Sequence, residues 1–559
     1  MERPSLGRWP LRSVPPELER QWQEAGYWDD LTIGAHLDRG LADHPDQVIR
    51  FHSAVRPWEG SFAEVRRRAL GLAESLRRRG VGPGDPVAFQ LPNWVEAAVT
   101  FYATAFLGAV VVPIVHFYGP KEVAYILRRT GVETFVTASS FGQTDYLTGL
   151  EPIRQSSDRL HTVAVVGAAD GSLPDGLIRF EELEQEPGCL DGPVDVDPST
   201  PAIVAYTSGT TADPKGVIHS HRTIGAEARQ LGAMDSGQGR PNLVGAPVGH
   251  AMGMLGGLLI PVLKGEPVNL IDVWDPTRIL RIMSEFQLSC GSGATYFLTS
   301  LLDHPDRTPE HLTLMAYVGL GGSAIPTAIA ERATAQGISI VRMYGSTEHP
   351  SITGSRHDEP VEFRLATDGH VLPGVEIRIV DDDGQPVQPG CPGEIWSRGP
   401  DCCVGYTDPV LTDTLFDPDG WYRTEDIGIL NDQGYLSITD RKKDVIIRGG
   451  ENVSAAAVEE VLLTMDGVAE TAVVAAPDER LGEQVCAYLR MQPHCAVPDL
   501  AAVKDSMRQA GLARQNWPEQ VRPIGEFPRT PSGKIKKAVL RRWLVDEHGH
   551  QPATGDSPG

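Results

Sequence analysis

A run of hydroxyl-bearing residues and glycines that ends in a lysine occupies residues 206–216, which read YTSGTTADPKG. Glycine allows the backbone to approach an anion closely, and neighbouring hydroxyl groups add hydrogen-bond donors. A lysine at the end of such a run supplies a point charge for a polyphosphate. The segment therefore predicts a loop that binds the phosphates of a nucleotide. Its expected binding residues are Thr207, Ser208, Gly209, Thr210, Thr211 and Lys215.

The spacing of this loop separates it from the commonest phosphate loop. It lacks the G-x-x-x-x-G-K-[ST] pattern, which excludes a P-loop GTPase or kinase. A Ser/Thr-rich surface turn is the alternative interpretation. Such a turn needs neither four hydroxyl residues around one glycine nor the Pro-Lys-Gly that follows them, so the phosphate loop is the preferred hypothesis.

The segment YTSGTTADPKG resembles the phosphate loop of the adenylate-forming superfamily, which includes acyl-CoA synthetases, non-ribosomal peptide adenylation domains and firefly luciferase. Other motifs that resemble those of the family follow in the family's order, from about Tyr27 to Lys537. The resemblance implies an enzyme that binds ATP and Mg²⁺ and activates a carboxylic acid as an acyl-adenylate. It also implies that the acyl group then passes to a thiol.

Residues 344–348 read YGSTE and resemble the family's adenine motif. By this resemblance Tyr344 packs on the adenine, with Gly345 beside it. Thr347 is expected to contact the α-phosphate, and Glu348 is expected to help hold Mg²⁺. These roles suit the side chains, because an aromatic ring offers a π-face and a carboxylate is a hard oxygen ligand for a hard cation.

Residues 421–428 read WYRTEDIG, where the family commonly has Tyr-Arg-Thr-Gly-Asp. Glu425 therefore replaces the usual glycine. Asp426 keeps its place and is expected to accept hydrogen bonds from both ribose hydroxyls. By the same resemblance Arg441, in the stretch DRKKDVIIRGG, contacts the ribose.

Two glycine-containing turns resemble further parts of the family's site. Gly321, Gly322 and Ser323 resemble the turn that borders the adenine and the acyl group, although a Gly-Gly-Ser turn by itself is most often only a turn. Gly449 and Gly450 are expected to flank the passage for a pantetheine thiol, where a side chain would obstruct the way.

Residues 528–537 read PRTPSGKIKK, and Lys534 matches the lysine that reaches from the small domain into the site during adenylation. Its ammonium group is expected to bridge the substrate carboxylate and the α-phosphate, which offsets the repulsion between two anions. Lys536 and Lys537 are interpreted as solvated neighbours. Lys443 occupies the family's hinge position, about which the small domain rotates before the thiol attacks.

The acceptor thiol is inferred from the length of the chain. Few residues follow Lys534, so no built-in carrier domain is expected and coenzyme A is the favoured acceptor, with a separate carrier protein as the alternative. The alternative function is accordingly a stand-alone adenylating ligase that loads a carrier protein in a biosynthetic pathway. A luciferase-type oxygenase and a non-catalytic nucleotide sensor are further hypotheses, but a sensor would have no use for Lys534.

Residues 246–263, APVGHAMGMLGGLLIPVL, are expected to line the acyl pocket. Amino-acid-activating relatives have an aspartate in this region to pair with an ammonium group, and none occurs here. His250 matches a pocket-lining position of many acyl-CoA synthetases, although it would suit a structural histidine equally well. With Met254 and Gly321 it predicts an adaptable apolar pocket for a medium-length, branched or alicyclic carboxylate.

Composition narrows the class of protein. The net charge of −24 argues against a nucleic-acid partner, because phosphate backbones require basic patches. Seven cysteines without a recognisable spacing indicate reduced thiols in a cytoplasmic protein, rather than disulfides or a zinc site. The N-terminal residues contain no apolar signal region.

Alternating helix and strand patterns predict an α/β fold. The clearest helix covers residues 61–79, where Ser61 begins a capping box and apolar residues recur on one face. Its arginine runs are expected to be solvated. Residues 97–115 are apolar enough to suggest a membrane span, but Asn93 as a cap and Gly108 as a stop favour a buried helix and strand.

The predicted domain boundaries follow from changes in this pattern, and the resemblance to the adenylate-forming superfamily implies the AMP-binding role, the hinge and the mobility of the small domain. A large N-terminal AMP-binding domain of parallel α/β sheets is expected at residues 1–439. Within it, short alternating strands at about residues 375–435 predict an antiparallel, β-barrel-like unit. Residues 440–443 are the expected hinge, residues 444–543 a small mobile α+β C-terminal domain, and residues 544–559 a disordered tail.

Overall fold

A computed structural model describes residues 8–168, 173–185, 188–207, 214–234, 240–290, 292–293, 295–322, 325, 327–449, 451–478, 480–529 and 534–549. Within these ranges helices alternate with parallel strands in the first two thirds of the chain, and antiparallel strands dominate the remainder. The predicted α/β class is therefore confirmed, with a mixed α+β unit at the C-terminal end.

The largest sheet is eight-stranded and mostly parallel. Its central strands are buried on both faces, as expected for parallel strands covered by helices on either side. An antiparallel pair closes one edge of this sheet. In spatial order the strands are Gly405–Tyr406, Lys215–Ser220, Pro201–Thr207, Val110–Ile114, Pro86–Gln90, Thr134–Ala138, Thr162–Val166 and Leu177–Arg179.

Two smaller sheets follow the same parallel principle at their centres. In the five-stranded sheet, Gly321 and Met343 are register partners at the carboxyl ends of neighbouring parallel strands, so Gly321 lies next to the start of the predicted adenine segment. The four-stranded sheet has the order Leu243–Val244, Val268–Ile271, Val48–His52, Trp58–Ser61. The five-stranded sheet has the order Ser292–Gly293, Tyr317–Gly321, Ser339–Tyr344, Thr353–Gly354, His370–Val371.

Helices cover the faces of these sheets. Those of the first half are Pro16–Glu24, Ile33–Asp43, Phe62–Arg78, Val95–Phe106, Pro120–Thr130, Tyr146–Gln155, Phe180–Glu184, His221–Met234, Ala251–Met254 and Ile260–Lys264, the last two joined by a π-helical turn at Leu255–Leu259. Those of the second half are Pro276–Phe286, Thr295–Leu302, Pro309–Leu314, Thr327–Ala335, Val361–Ala366, Pro409–Leu415, Ala455–Leu463, Leu500–Gln509 and Lys537–Gly549, with a 3₁₀ turn at Arg514–Asn516.

The helix Phe62–Arg78 agrees with the helix predicted at residues 61–79. Ser61 is its N-cap, and its side chain accepts a hydrogen bond from the backbone N–H of Glu64. The predicted apolar face is buried: Phe62, Val65, Ala69, Leu72 and Leu76. Its arginines are not simply solvated, since Arg66 forms an ion pair of 2.7 Å with Asp38.

The apolar stretch at residues 97–115 forms the buried helix Val95–Phe106 and the buried strand Val110–Ile114, as predicted. Gly108 ends the helix with a left-handed φ of 62°. The predicted cap was wrong, because Trp94 is the N-cap and the Asn93 amide instead donates to two backbone carbonyls of other elements. Among the described residues, no helix has both the length and the apolar character needed to cross a bilayer.

The antiparallel unit predicted at about residues 375–435 is present as a four-stranded sheet. Its order is Glu376–Val380, Gly393–Arg398, Tyr422–Leu430, Leu436–Arg441. All neighbouring strands in it are antiparallel. The last two strands carry Asp426 and Arg441, so the sheet determines where both predicted ribose contacts lie.

The C-terminal unit is built on one mixed sheet. Its strands are Glu451–Val453, Ile446–Arg448, Gly482–Met491 and Val468–Asp478, with Gln520–Pro523 beside the third. The final helix, Lys537–Gly549, buries Leu544, so residues 544–549 are helical rather than part of the predicted disordered tail. The domain boundary expected at residues 440–443 stays a prediction.

Candidate active site

The two ends of the predicted phosphate loop are held together by an antiparallel pair of strands. Thr207 ends the strand Pro201–Thr207, Lys215 begins the strand Lys215–Ser220, and these two residues are register partners. Thr207 and Lys215 therefore lie side by side at the ends of two neighbouring strands of the large sheet. Six predicted site residues lie outside the described residues: Ser208, Gly209, Thr210, Thr211, Ser323 and Gly450.

The adenine segment turns sharply at the end of the strand Ser339–Tyr344. A Cβ atom on Gly345 would lie 1.8 Å from the carbonyl oxygen of Pro350, so only glycine can occupy this position. The backbone N–H of Ser346 donates to the carbonyl of His349 at 2.9 Å, which closes the turn. Thr347 and Glu348 are thereby held within a short, tightly packed segment.

Three predicted nucleotide residues meet around one carboxylate. The Tyr344 hydroxyl donates to Oδ2 of Asp426 at 2.8 Å, and Nε of Arg441 lies 2.8 Å from Oδ1. Asp426 and Arg441 are register partners on adjacent strands. Burial, and then the Asp426 charge, raise the pKa of Tyr344 well above its ordinary value, so the phenol keeps its proton as a donor.

The turn that carries Asp426 forms although it lacks the family's usual glycine. Glu425 adopts a left-handed φ of 61°, a conformation that glycine adopts at little cost. The Glu425 carbonyl accepts a hydrogen bond of 2.9 Å from the backbone N–H of Lys442. The substitution therefore leaves the predicted ribose carboxylate in place at the expense of local backbone strain.

Glu348 is a buried carboxylate with a fixed orientation. Its side chain is 8% exposed, and Oε1 accepts a hydrogen bond of 3.0 Å from the hydroxyl of Tyr406. Among the described residues, no three His, Cys, Asp or Glu side chains form a group that could hold a metal ion. A single protein carboxylate suits Mg²⁺, which is usually held by one or two carboxylates together with substrate phosphates.

The backbone of the same segment is held by residues that the sequence did not indicate. Nε2 of His219 lies 2.7 Å from the carbonyl oxygen of Thr347, and the backbone N–H of Cys403 donates to the carbonyl of Glu348 at 2.7 Å. Neither residue belongs to a recognisable motif, because each contact joins segments that are far apart in the chain.

Lys534 lies in the same region, although it is more than 100 residues further along the chain than Glu348. Its side chain is accessible to solvent, yet protein atoms surround it closely enough for partial desolvation to lower its pKa to about 8. The positive charges of Arg441 and Lys443 also lower this pKa, whereas the carboxylates of Asp426 and Glu348 raise it. The ammonium group thus lies in the electrostatic field of Asp426 and Glu348, the predicted ribose and metal carboxylates.

His250 is both a helix cap and a neighbour of Lys534. Its Nδ1 accepts a hydrogen bond of 3.3 Å from the backbone N–H of Met252. Burial, assisted by the Lys534 charge, lowers the pKa of His250 to about 4, so the ring is neutral. Met254 is buried in the same turn, and Met252 Cε would lie 3.4 Å from a Cβ placed on Gly322, so this turn packs against the glycine turn.

The predicted hinge and thiol passage have specific surroundings. Burial, and then the charge of Arg441, lower the pKa of Lys443, and Lys215 of the phosphate hairpin adds to this effect. Gly449 has a left-handed φ of 60°, and its N–H donates to the carbonyl of Leu481 at 2.8 Å. The hinge role of Lys443 and the passage beside Gly449 stay predictions.

Lys537 was wrongly interpreted as a solvated neighbour of Lys534. Its Nζ forms an ion pair of 2.7 Å with Oε1 of Glu459, and both side chains are less than one fifth exposed. The reason is the position of Lys537 at the start of the last helix, which packs against the strand Val468–Asp478. Lys537 is therefore paired within the C-terminal unit.

Comparison with known proteins is consistent with this geometry. The chain matches the model of the AMP-binding enzyme family over residues 38–407, and that of the AMP-binding enzyme C-terminal domain over residues 457–534. It is 32% identical to a medium-chain fatty-acid–CoA ligase of Escherichia coli strain K12, over 94% of this chain and 92% of the relative.

A second curated relative and a solved structure extend the comparison. The chain is 34% identical to a propanoyl:CoA ligase of Rhodococcus jostii strain RHA1 whose named acid carries a methyl-dioxo-octahydro-indenyl group, over 86% of this chain and 93% of the relative. The crystal structure of ATP-bound MatB from Rhodopseudomonas palustris superposes with a TM-score of 0.81 at 27% identity, covering 93% of this chain and 100% of MatB.

Proposed function

The chain belongs to the AMP-binding enzyme family, and we propose that it acts as an AMP-forming acyl-CoA synthetase, an ATP-dependent acid–thiol ligase. It activates a carboxylic acid as acyl-AMP and transfers the acyl group to coenzyme A. One observation carries the proposal at the level of the site. Lys534 lies in the field of Asp426 and Glu348, although more than 100 residues separate it from either carboxylate in the chain.

The first half-reaction joins the acid to the nucleotide. A carboxylate oxygen attacks the α-phosphorus of ATP, a P–O bond forms, and the bond to pyrophosphate breaks. The Lys534 ammonium lowers the repulsion between the incoming carboxylate and the phosphate and stabilises the charge that develops between them. Because the pKa of Lys534 is about 8, Lys534 is protonated and positively charged in most molecules at neutral pH.

Two of the carboxylates that would hold the nucleotide already have partners in the protein. Asp426 would accept hydrogen bonds from the ribose hydroxyls, since each carboxylate oxygen has a second lone pair beyond its contact with Tyr344 or Arg441. When bound, MgATP supplies the electrophilic phosphorus and the charge of the metal ion. Glu348 is the proposed protein ligand of that ion, and Thr347 the proposed donor to the α-phosphate.

The second half-reaction transfers the acyl group to the thiol. A thiolate attacks the acyl carbon of the anhydride, the thioester bond forms, and AMP leaves with the electron pair of the broken C–O bond. We assign the hinge of the required domain rotation to Lys443, and the entry of the pantetheine to the surface near Gly449. The left-handed backbone of Gly449 supports this assignment, because a side chain there would be strained.

The proposed acid is a medium-chain, branched or alicyclic carboxylate. Residues 246–263 contain no acidic side chain for an amino-acid substrate. The neutral ring of His250 and the adaptable side chains of Met252 and Met254 suit an apolar acyl group. The printed names of the two relatives, one for medium-chain fatty acids and one for an indenyl-substituted propanoate, support the same class.

The experiment that tests this function is a pyrophosphate-release assay over linear, branched, alicyclic and aryl acids, with and without coenzyme A. We expect acid-dependent release of pyrophosphate and formation of acyl-CoA with at least one apolar acid. Transfer to a phosphopantetheinylated carrier protein but not to coenzyme A would instead favour the carrier-loading ligase.

All seven cysteines are free thiols, which supports a site of action in the reducing cytoplasm.

A further inference from the structure

His219 is a buried residue of the strand Lys215–Ser220, and both nitrogens of its ring have partners. His219 is only 2% exposed to solvent. Nε2 lies 2.7 Å from the carbonyl oxygen of Thr347, and Nδ1 lies 3.2 Å from Oγ1 of Thr223. A carbonyl oxygen can only accept, so Nε2 carries the proton and Nδ1 is left to accept from the Thr223 hydroxyl. The ring is thus held in one tautomer and one orientation.

The Thr347 carbonyl, which His219 binds, is the first of two consecutive carbonyls that accept hydrogen bonds from distant segments of the chain. The next one, that of Glu348, accepts the backbone N–H of Cys403 at 2.7 Å. Because each peptide unit is planar, holding these two carbonyls restrains the two peptide planes that flank the Cα atom of Glu348. The direction in which the Glu348 side chain leaves the backbone is restrained at the same time, and the peptide plane on the carboxyl side of Thr347 is held with it.

The strand that carries His219 also begins with the lysine of the phosphate hairpin. Side chains two or four residues apart in a strand lie on the same face, so Lys215 and His219 share a face of the sheet. The bond from His219 therefore connects the strand of the phosphate lysine directly to the segment of the α-phosphate donor and the metal ligand. The two segments are more than 120 residues apart in the chain.

We propose that His219 is a positioning residue of the adenylation site. Its Nε2–H···O=C bond holds Thr347 and Glu348 at a constant distance and orientation relative to Lys215. The bond keeps the residues that contact the α-phosphate and the metal in register with those that contact the leaving pyrophosphate. The inference depends on the proposed function, because it assumes that these residues act together on MgATP.

Two substitutions at this position separate the hydrogen bond from the packing. His219→Leu removes the donor and leaves the Thr347 carbonyl buried without it, whereas His219→Gln retains an N–H near the original Nε2 position. We expect His219→Leu to lower kcat of adenylation by about 10- to 100-fold, since such positions act through alignment of the reacting groups. His219→Gln should stay within about threefold of the wild type. Thioester formation from preformed acyl-AMP should be unchanged in both variants.

A second buried histidine of the same chain segment provides the matched control. His221 is 1% exposed, and its Nδ1 accepts the backbone N–H of Ile33 at 3.2 Å, away from the nucleotide residues. His221→Leu should lower the thermal midpoint as His219→Leu does, while adenylation by the folded protein is retained. Equal loss of adenylation in His219→Leu and His221→Leu, or no rescue by His219→Gln, would overturn the proposal.

Titration calorimetry with ATP, at increasing Mg²⁺ concentration and without any acid, distinguishes this inference from the proposed function. We expect the gain in ATP affinity on adding Mg²⁺ to be several-fold smaller in His219→Leu than in His221→Leu. An identical Mg²⁺ dependence in the two variants would refute the positioning role even if the wild type is an active ligase. Wild-type protein that activates no acid in the panel would contradict the proposed function, and the calorimetric comparison would still decide the role of His219.

Discussion

Desolvation lowers the pKa of three ionisable side chains in and around the proposed site: Lys534, His219 and His250. Lys534 is partly desolvated, and its pKa falls to about 8. His219 is buried and His250 is half-buried, and desolvation lowers the pKa of each to about 4, so both rings stay neutral at physiological pH. The site therefore combines a titrating cation with two neutral rings, which has consequences for activity as a function of pH.

The rate of adenylation should decrease at alkaline pH, where Lys534 loses its proton. Its protonated form is the active one, so kcat/KM for adenylation should fall as the pH rises through about 8, the pKa of the free protein. Lys534→Arg remains charged over this range and should lose that decrease, at a lower overall rate. Lys534→Ala should nearly abolish acyl-AMP formation. Unchanged pyrophosphate release in Lys534→Ala would contradict the assigned role, and so would an alkaline decrease shared by Lys534→Arg.

Glu227 should make the protein less stable as the pH rises. Burial, and then the nearby Asp401 carboxylate, raise the pKa of Glu227 well above its ordinary value. The folded protein therefore keeps a proton that the unfolded chain releases above about pH 4.3, and stability falls as pH rises from there through the folded pKa. Glu227→Gln is neutral at every pH and can still accept from the Ser351 hydroxyl, which donates to Glu227 at 2.8 Å.

The measurement is the thermal midpoint of both proteins between pH 5 and pH 8.5. We expect Glu227→Gln to gain stability over the wild type as the pH rises, with the smallest difference near pH 5. Parallel curves for the two proteins would show that Glu227 does not bind the extra proton.

At the scale of elements, the site depends on where strands end and turns begin. The strand Ser339–Tyr344 ends at the predicted adenine residue, and the paired strands Tyr422–Leu430 and Leu436–Arg441 place the Asp426 carboxylate opposite the Arg441 guanidinium. Thr207 and Lys215 are register partners at the ends of two antiparallel strands. These residues thus lie at a strand end or on a strand pair, where the backbone is already held by the sheet.

The turn at Glu425 should tolerate glycine and reject a β-branched residue. A non-glycine residue in the left-handed region costs about 1–2 kcal/mol, whereas glycine costs about 0.5–1 kcal/mol through the entropy of the unfolded chain. Glu425→Gly should therefore match the wild type or exceed its stability by up to about 1 kcal/mol. Glu425→Val should lower the free energy of unfolding by about 1–3 kcal/mol and reduce ATP affinity with it.

Urea unfolding of these two variants, with ATP binding measured alongside, tests the strain at this turn. The opposite order of stability, with the valine variant above the glycine variant, would show that the φ of 61° is not maintained in solution.

Replacing the predicted hinge residue should separate the two half-reactions. Lys443→Pro restricts φ at this position and disfavours helical backbone at Lys442, so rotation about the hinge should become harder. We expect adenylation to fall by less than about fivefold and thioester formation by at least about tenfold, because only the second step requires the rotation. Lys443→Ala removes the charge and keeps the backbone free to turn, so it serves as the control. Equal losses in both half-reactions of Lys443→Pro would argue against the hinge.

At the scale of the whole molecule, the proposed site draws on segments that are far apart in the chain. Asp426 and Arg441 lie in the antiparallel sheet, Glu348 follows the strand Ser339–Tyr344 of the five-stranded sheet, and Lys534 precedes the final helix. A ligand that contacts all of them should stabilise the folded state by an amount that rises with its concentration relative to its Kd.

Thermal denaturation with MgATP tests this picture without turnover. At about 100 times its Kd, a ligand that binds only the folded state adds about 2.7 kcal/mol to stability. We expect a clear rise in the thermal midpoint of the wild type and of Lys534→Ala, because that lysine acts in the reaction more than in nucleotide binding. Asp426→Ala should lose most of the rise, since it removes the ribose acceptor. A full shift in Asp426→Ala would exclude the proposed ribose contact.

Local sequence patterns predicted much of the fold. The wrong predictions concern side chains that bind residues far away in the chain. Ser61 was predicted as a cap, and Gly108 as the end of a helix, because such signals act within one helical turn. Asn93 has the same capping chemistry, but its amide binds carbonyls on other elements. Lys537 was predicted to be solvated, yet it pairs with Glu459 across the C-terminal unit. In both cases a distant partner outweighed the local preference.

By itself the sequence determined the class of fold and the family, and it predicted the roles of residues such as Tyr344, Asp426, Arg441 and Lys534. Those residues carry their chemistry in their side-chain types, and their order along the chain is enough to recognise it. Only the tertiary structure decided that Tyr344 and Arg441 share one carboxylate, that Lys534 is partly desolvated, and that His219 holds the Thr347 carbonyl. Hydrogen bonds and burial depend on the distance between atoms in space, and residues more than 80 positions apart acquire such distances only when the chain folds.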